Sequence, residues 1–470
     1  MANLFLLPLI AAVTLLFNPN KKWALAFSIL TFVESFRLFL AFDKSSSQYQ
    51  FIFTIPSLNN DLVFGIDGIS IFFILLTTFL IPICLLVSWY SITFYIKQFL
   101  VALFFIEWIL IAVFSVIDVL GFYIFYEAVL IPVFLIIGVW GARVQKINAA
   151  YYFFFYTLIG SLLMFISILL IFFITGSTDL HYILAFQFSD NFQILIFLAF
   201  FASFAVKLPA FPFHIWLPLA HVEAPVAGSV LLAGVLIKLG SYGLIRFSLA
   251  ITPWAAQYFA PLVFTLAILG VIYASLATIR QTDLKRIIAY SSIGHMGIVT
   301  IGIFSFNVEG IVGSIFLQLA HGIVSSALFI VVTLLYDRFH TRIFKYFRGV
   351  TLSMPLFSSF FLFFTLGNIA VPGTSNFIGE ILSLAAAVKN NIFVAVMAAS
   401  GMVLSAAYGL FLFNRICFGG MAPYMLVAPR DLSRRETLAL APLAGLSLLL
   451  GLFPAVVIDV IIPSVVALFS

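Results

Sequence analysis

Of the 470 residues, 64% are hydrophobic and 8% charged, with a formal net charge of +5, against about a quarter charged in ordinary soluble domains. That composition excludes a soluble globular protein, and 22 Lys and Arg scattered between apolar runs read as membrane topology signals, with no nucleic-acid surface. The two cysteines, Cys84 and Cys417, lie far apart in apolar surroundings, so neither an iron–sulfur cluster nor a structural zinc is expected from this chain.

Apolar runs repeatedly reach the roughly 20 residues that cross a hydrocarbon core of about 30 Å as helix. In chain order the predicted spans are 2-17, 23-40, 68-92, 98-117, 119-139, 149-174, 192-224 (broken), 227-248, 257-279, 286-305, 310-336, 353-389 (broken), 391-418 and 437-460. The first begins without an Arg-rich transit stretch or a small-residue cleavage site and is expected to be retained. The fold class is an all-α polytopic membrane protein of about 14 transmembrane helices. Connections after odd-numbered spans hold 16 of the 22 basic residues, and the opposite side holds only Arg37, Lys44, Arg246 and Lys389. This division is what positive-inside sorting demands, and it places both termini away from the positive side.

The two remaining bases, Lys207 and Lys238, fall within spans, as do Glu107, Glu127, Glu380, His295 and His321. A charged side chain at the bilayer centre costs about 2.5 to 3.5 kcal/mol even on the lenient insertion scale, so each needs a partner, a wet cavity or a role. Pro132 follows Glu127 closely and leaves the Ala128 carbonyl without its helical donor, loosening the helix beside the carboxylate. After Lys207, Pro209, Pro212 and Pro218 follow within one stretch, and a regular helix cannot continue through them. Broken backbone at membrane depth is tolerated where it is buried in protein or lines a cavity, and discontinuous helices hold ion sites in transporters. The stretch from Gly367 through Pro372 to Glu380 repeats the device.

These interruptions divide the chain. Residues 1-97 form N-terminal helices; 98-250 form a five-helix unit broken near 207-218; 251-418 form a second, broken near 367-380; 419-470 form a C-terminal helix. Five spans per unit make the second copy insert upside down, giving two inverted repeats. Within this frame Glu127 and Lys207 read as a switch: displacement of the carboxylate releases the lysine's proton, which passes along Lys238, His295 and His321 towards Glu380. Haem is a poor competitor, since His214 and His221 flank Pro218 and no matched axial pairs remain. His214, His221 and Glu223 are also weak candidates for a divalent metal.

The stretches Phe-Tyr-Glu127-Ala-Val-Leu-Ile-Pro, Lys207-Leu-Pro, His214-Ile-Trp-Leu-Pro-Leu-Ala-His221-Val-Glu223-Ala-Pro, Leu-Ile-Lys238-Leu-Gly-Ser-Tyr-Gly and Ala-Tyr-Ser-Ser-Ile-Gly-His295-Met-Gly resemble the antiporter-like, proton-translocating subunits of respiratory complex I (NADH:ubiquinone oxidoreductase), of the chain 4 type. The likeness covers nearly the whole chain, and the Asn-Phe-Ile-Gly-Glu380 ending fits the same type. The resemblance implies that Glu127 and Lys207 are the paired charges of a pump, Lys238 a central relay, His295 and His321 further relay positions and Glu380 the final gate, with Glu107 as a further site residue. It implies other membrane-arm subunits, sister antiporter-like subunits among them, together with protons and membrane lipids, as partners. FMN and iron–sulfur clusters are implied in other subunits, which would handle NADH and ubiquinone, with no cofactor or metal in this chain. The phenylalanine content, 58 residues, and the missing presequence suggest the mitochondrial inner membrane, with both termini on the intermembrane-space side; a bacterial plasma membrane is the alternative. Competing functions are a stand-alone or Mrp-type cation/proton antiporter subunit and a scaffold that merely seals the arm.

Overall fold

A computed structural model describes residues 1–56, 61–420 and 430–469. Helices α1 (Ala2–Phe17) and α2 (Lys21–Leu40) lead into a hairpin of β1 (Gln50–Ile55) and β2 (Leu62–Ile66). Next come α3 (Ser70–Val87), α4 (Ile96–Ser115), α5 (Val119–Ala128), α6 (Leu130–Trp140), α7 (Lys146–Thr175), the short α8 (Leu180–Ala185), α9 (Asp190–Lys207) and α10 (Trp216–Glu223). The span Val226–Ile251 comprises α11 (Val226–Leu231), α12 (Lys238–Gly243) and α13 (Leu249–Ile251), joined by π-helical stretches at Leu232–Leu236 and Leu244–Ser248. Helices α14 (Pro253–Arg280), α15 (Leu284–Ile303), α16 (Val308–Phe339), α17 (Val350–Ser353), α18 (Pro355–Asn368), α19 (Ser375–Asn390), α20 (Ile392–Cys417), α21 (Arg434–Leu452) and α22 (Ala455–Val466) complete the chain. Among the described residues, 12 segments are long and apolar enough to cross a membrane, accompanied by the shorter apolar helices α1, α18 and α22.

The interruptions fall where the sequence places them. Helix α9 stops at Lys207 and α10 starts at Trp216; α18 stops at Asn368 and α19 starts at Ser375. The second gap is closed by Ala370 and Gly373 at φ 62° and 92°, the left-handed region that a helix cannot use. Two details differ from the predicted spans. The segment read as one final span, 437-460, is two helices, because Pro454 brings no N–H and Phe453 leaves the helical region at φ −125°, ψ 66°. The connection before the third span folds as the β1–β2 hairpin, pairing Phe53 with Phe64 and Thr54 with Val63. Its Gln-Phe-Ile-Phe-Thr-Ile run has the β-branched and aromatic content of a strand.

Helix α16 is the axle of the molecule. Its apolar window and that of Val226–Ile251 are wholly buried, whereas only 28% of the α2 window and of the α21 window is enclosed. Around α16 pack α15, α18, α19, α21 and the α11 end of its buried neighbour. The two most interior spans therefore have no lipid-facing side, and polar side chains on them meet protein.

Candidate functional site

At the first break, Glu127 lies in the last turn of α5, and the helix is interrupted at Val129 before resuming as α6. This is the discontinuity that Pro132 imposes. Both Glu127 oxygens are enclosed without a hydrogen-bond partner at full hydrogen-bond geometry, and Ser161 and Lys207 are the groups that face them. Lys207, 4% exposed, ends α9; its Nζ donates to the Tyr126 carbonyl at 2.8 Å and stands 3.4 Å from the centre of the Tyr126 ring. The cation is thus held by the residue beside Glu127. Trp216 Nε1 donates to the Val206 carbonyl at 2.8 Å, tying the second half-helix to the end of the first.

Lys238 sits between the two π stretches, on a wholly buried helix. A π stretch leaves carbonyls out of register with the α ladder, and Lys238 Nζ donates to one of them, that of Ala233. The same Nζ lies 3.1 Å from Nδ1 of His321 on α16. Two glycines allow this approach: a Cβ on Gly322 would come within 2.9 Å of the Gly234 carbonyl, so these helices cross backbone to backbone beside the pair. On the other face of the lysine helix, a Cβ on Gly240 would lie 2.7 Å from the Phe204 carbonyl, which presses α12 against the turn that ends in Lys207.

From His321 the row continues. The His321 and His295 rings lie 5.4 Å apart between centroids. His295 Nδ1 is 2.8 Å from Glu380 Oε1, and its Nε2 is 3.2 Å from Asn368 Oδ1. Glu380 is 1% exposed and His295 4%. Behind the pair opens a small cavity lined by Ser275, Ser291, Ser405 and Tyr408 among others, with room for about one water molecule. The order along the row is Lys238, His321, His295, Glu380. It reverses the two histidines relative to the sequence expectation, because α16, not α15, crosses the lysine helix.

The remaining expected residue, Glu107, is fully buried on α4 but belongs to a different seam. Its Oε1 accepts from Thr31 at 2.7 Å, next to a Ser35–Thr78 hydroxyl pair at 2.7 Å. His214 lies against Phe211, Tyr273 and Tyr290, and His221 stacks on Phe329. Among the described residues no three His, Cys, Asp or Glu side chains converge as a metal-ligand set.

Other polar groups at these depths escaped the sequence reading. Gln318, one turn from His321, accepts from Ser241. Asn368 holds His295. Lys285 and Arg342, counted as loop charges, are 4% and 2% exposed. Arg246, counted as a surface topology charge, forms a 2.8 Å ion pair with Asp67. The available signal for Asn368 was its place inside the second break; neutral amides in apolar spans otherwise give none.

Residues 116–405 match the family described as NADH:quinone oxidoreductase/Mrp antiporter, TM. The chain is 52% identical over 468 residues to NADH-ubiquinone oxidoreductase chain 4 of Marchantia polymorpha, covering 98% of this chain and 94% of that one. It is 53% identical over 458 residues to the chain of the same name from Chondrus crispus, covering 96% and 93%. Among solved structures, a chain of respiratory complex I from Thermus thermophilus with bound NADH superposes with a TM-score of 0.90 at 29% identity, covering 100% and 99%. A chain of the Mrp complex from a Dietzia species shares the fold, with a TM-score of 0.85 at 18% identity, covering 100% and 97%. Half identity along nearly the whole length shows that the chain belongs to the chain 4 family of NADH-ubiquinone oxidoreductase, within the NADH:quinone oxidoreductase/Mrp antiporter group.

Proposed function

We propose that Glu127, Lys207, Lys238, His321, His295 and Glu380 are the proton relay of this proton-translocating complex I subunit. The observation that carries the assignment is the row of contacts from Lys238 through His321 and His295 to Glu380, two ionisable side chains in the two most buried spans, one on α15 and one on α19 just after the second break. Lys238 meets His321 through Nδ1, so His321 takes a proton on one nitrogen and releases it from the other. At His295 the hydrogen bonds survive either proton position. With the proton on Nδ1, imidazolium faces carboxylate; with it on Oε1, the acid donates to Nδ1, and in both states Nε2–H donates to Asn368. A shift along one 2.8 Å contact therefore moves charge without remaking the site.

The repeat frame places the switch pairs alike. In units 98-250 and 251-418, Glu127 and His295 fall on the second member, Lys207 and Glu380 on the broken fourth. Displacement of Glu127 from Lys207 at the first break changes the field along the row, and electron transfer elsewhere in the assembly is what drives that displacement. Sister antiporter-like subunits flank the chain in the membrane arm; NADH, ubiquinone, FMN and iron–sulfur clusters belong to other subunits. The location is the mitochondrial inner membrane, with both termini on the intermembrane-space side.

The test uses the assembled complex in proteoliposomes with a pH-sensitive dye. Lys238→Met preserves the volume of the stem and removes the carrier. NADH-driven proton uptake is expected to fall by at least about tenfold, since a positioned proton-transfer group supplies roughly 10²–10⁴-fold, with assembly unchanged on a native gel. Unimpaired pumping would overturn the relay. Co-migration with NADH dehydrogenase activity on the same gel separates a complex I subunit from an Mrp-type antiporter, which needs no redox partner.

A further inference from the structure

A second set of buried polar groups approaches the Lys238–His321 contact from the side of the basic connections. Arg342 follows α16, yet its guanidinium folds inward: Nη1 donates to the Val222 carbonyl, Nη2 is 3.9 Å from Glu223 Oε1 and Nε is 3.7 Å from Asp283 Oδ2. Val222 and Glu223 are the last residues of α10, so the guanidinium caps the second half of the broken helix. Beside it, Lys285 Nζ donates to the Ala224 carbonyl at 3.0 Å and stands 3.5 Å from Ser229 Oγ. Ser229 in turn donates to the His221 carbonyl at 3.1 Å.

His221 is fully buried. Its ring lies flat on Phe329, 4.5 Å away at 8°, and neither ring nitrogen has a hydrogen-bond partner. Lys285 and Lys238 both act on it electrostatically, and it acts on His321. Six buried polar atoms of these residues have no hydrogen-bond partner: Arg342 Nε and Nη2, Glu223 Oε2, both His221 nitrogens and His321 Nε2. A buried polar atom left unsatisfied costs about 1–3 kcal/mol, and folded interiors leave few of them. Six of them on Arg342, Glu223, His221 and His321 offer hydrogen-bonding positions that water can fill. A purely structural patch would carry apolar or mutually bonded side chains.

We propose that Lys285 and His221 form an intake branch that delivers protons from the basic-connection side to His321. The inference rests on the relay reading above. A proton arriving from water is held by Lys285, passes through water to His221, and leaves the imidazole from its other nitrogen towards His321 Nε2, which takes up this proton and then releases it to His295 while Nδ1 remains the contact to Lys238. Each carrier gains one proton and loses one, so no net charge is left behind. Arg342 does not release its proton; it is a positioning residue that holds the end of α10, with Glu223, at the mouth of the branch.

The experiment uses the assembled complex in proteoliposomes, with Lys238→Met as the reference. His221→Phe keeps the stack on Phe329 and removes both nitrogens. Lys285→Arg keeps the charge and a donor to Ala224 but cannot give up a proton, whereas Lys285→His titrates. Expected are a loss of about tenfold or more in pumping rate for His221→Phe and Lys285→Arg, and recovery of much of the rate in Lys285→His. A structural role would reverse the order of the two Lys285 variants, because Arg is the better mimic of a fixed cation. If His221→Phe is absent from the complex on a native gel, His221→Gln replaces it, since the amide takes no proton. Full pumping in the His221 variant, or Lys285→Arg matching or exceeding Lys285→His, overturns the branch. Full pumping in Lys238→Met overturns the relay itself, and the two failures are distinct.

Discussion

At the scale of single residues, the neutral side chains beside the proposed relay matter as much as the charged ones. Asn368 accepts from His295 Nε2 at 3.2 Å and so reserves Nδ1 for Glu380. In Asn368→Leu the Nε2–H is left buried without an acceptor, at a cost of about 1–3 kcal/mol, or the imidazole shifts its proton to Nδ1 and can no longer accept one from Glu380. Pumping is expected to fall roughly tenfold, the fold-change of 1.4 kcal/mol, with the complex still assembled; a dye assay in proteoliposomes reads it, and a wild-type rate would remove the tautomer role. Lys207, Lys238 and Glu380 were legible in the sequence because a charge in mid-span has no inexpensive explanation. Asn368 and Gln318 were not, because an amide among apolar residues carries no such penalty until its partner is known. Lys285 and Arg342 were misread for the opposite reason: they flank span ends, where a base is expected to reach water, and only the fold shows that they turn inward.

At the scale of elements, proline chemistry made both breaks legible, and Pro132 marked the interruption at Val129. The π stretches around Lys238 had no such signal, since Leu232–Leu236 and Leu244–Ser248 contain only residues that an α-helix accepts. Their origin is tertiary. The lysine helix is buried all round, and its fit against α16 is set by Gly322, where a Cβ would meet the Gly234 carbonyl at 2.9 Å, and by Gly234, where one would meet the Leu80 and Ser326 side chains. Small residues permit such crossings in membranes, where packing rather than the hydrophobic effect holds helices together. Gly322→Val therefore separates the helices at the Lys238–His321 contact. Overpacking of this kind costs about 1–3 kcal/mol, and the displaced pair also loses its 3.1 Å contact. The expected outcome is a lower inactivation temperature of the assembled complex together with reduced pumping, measured on the same preparation. Gly445→Val on α21, where a Cβ meets open space, is the control that changes neither.

At the scale of the whole molecule, the alternation of connections can be read from which of them touch. Those after odd-numbered spans meet one another: Lys21 donates to the Trp89 carbonyl, Ala142 to that of Glu223, Leu284 to that of Arg342, and Gly349 to that of Phe418. Those after even-numbered spans meet on their own side: Asp118 bridges Asp179, Arg246 pairs with Asp67 and Lys389 with Glu309. Helix α22 joins that second group, since Ser464 accepts from the Gly68 N–H at 3.0 Å. One span too many or too few in the sequence reading would have mixed the two sets. The proposed orientation puts the first set, with its basic excess, on the side where positive connections are retained, the matrix side in a mitochondrion. Single cysteines settle the sidedness: with Cys84 and Cys417 both buried, Lys345→Cys is expected to react with a membrane-impermeant thiol reagent from the matrix face only, and Ser46→Cys from the opposite face only. Labelling of both from one face would invert the topology of half the chain, and with it the side from which Lys285 and His221 receive their protons.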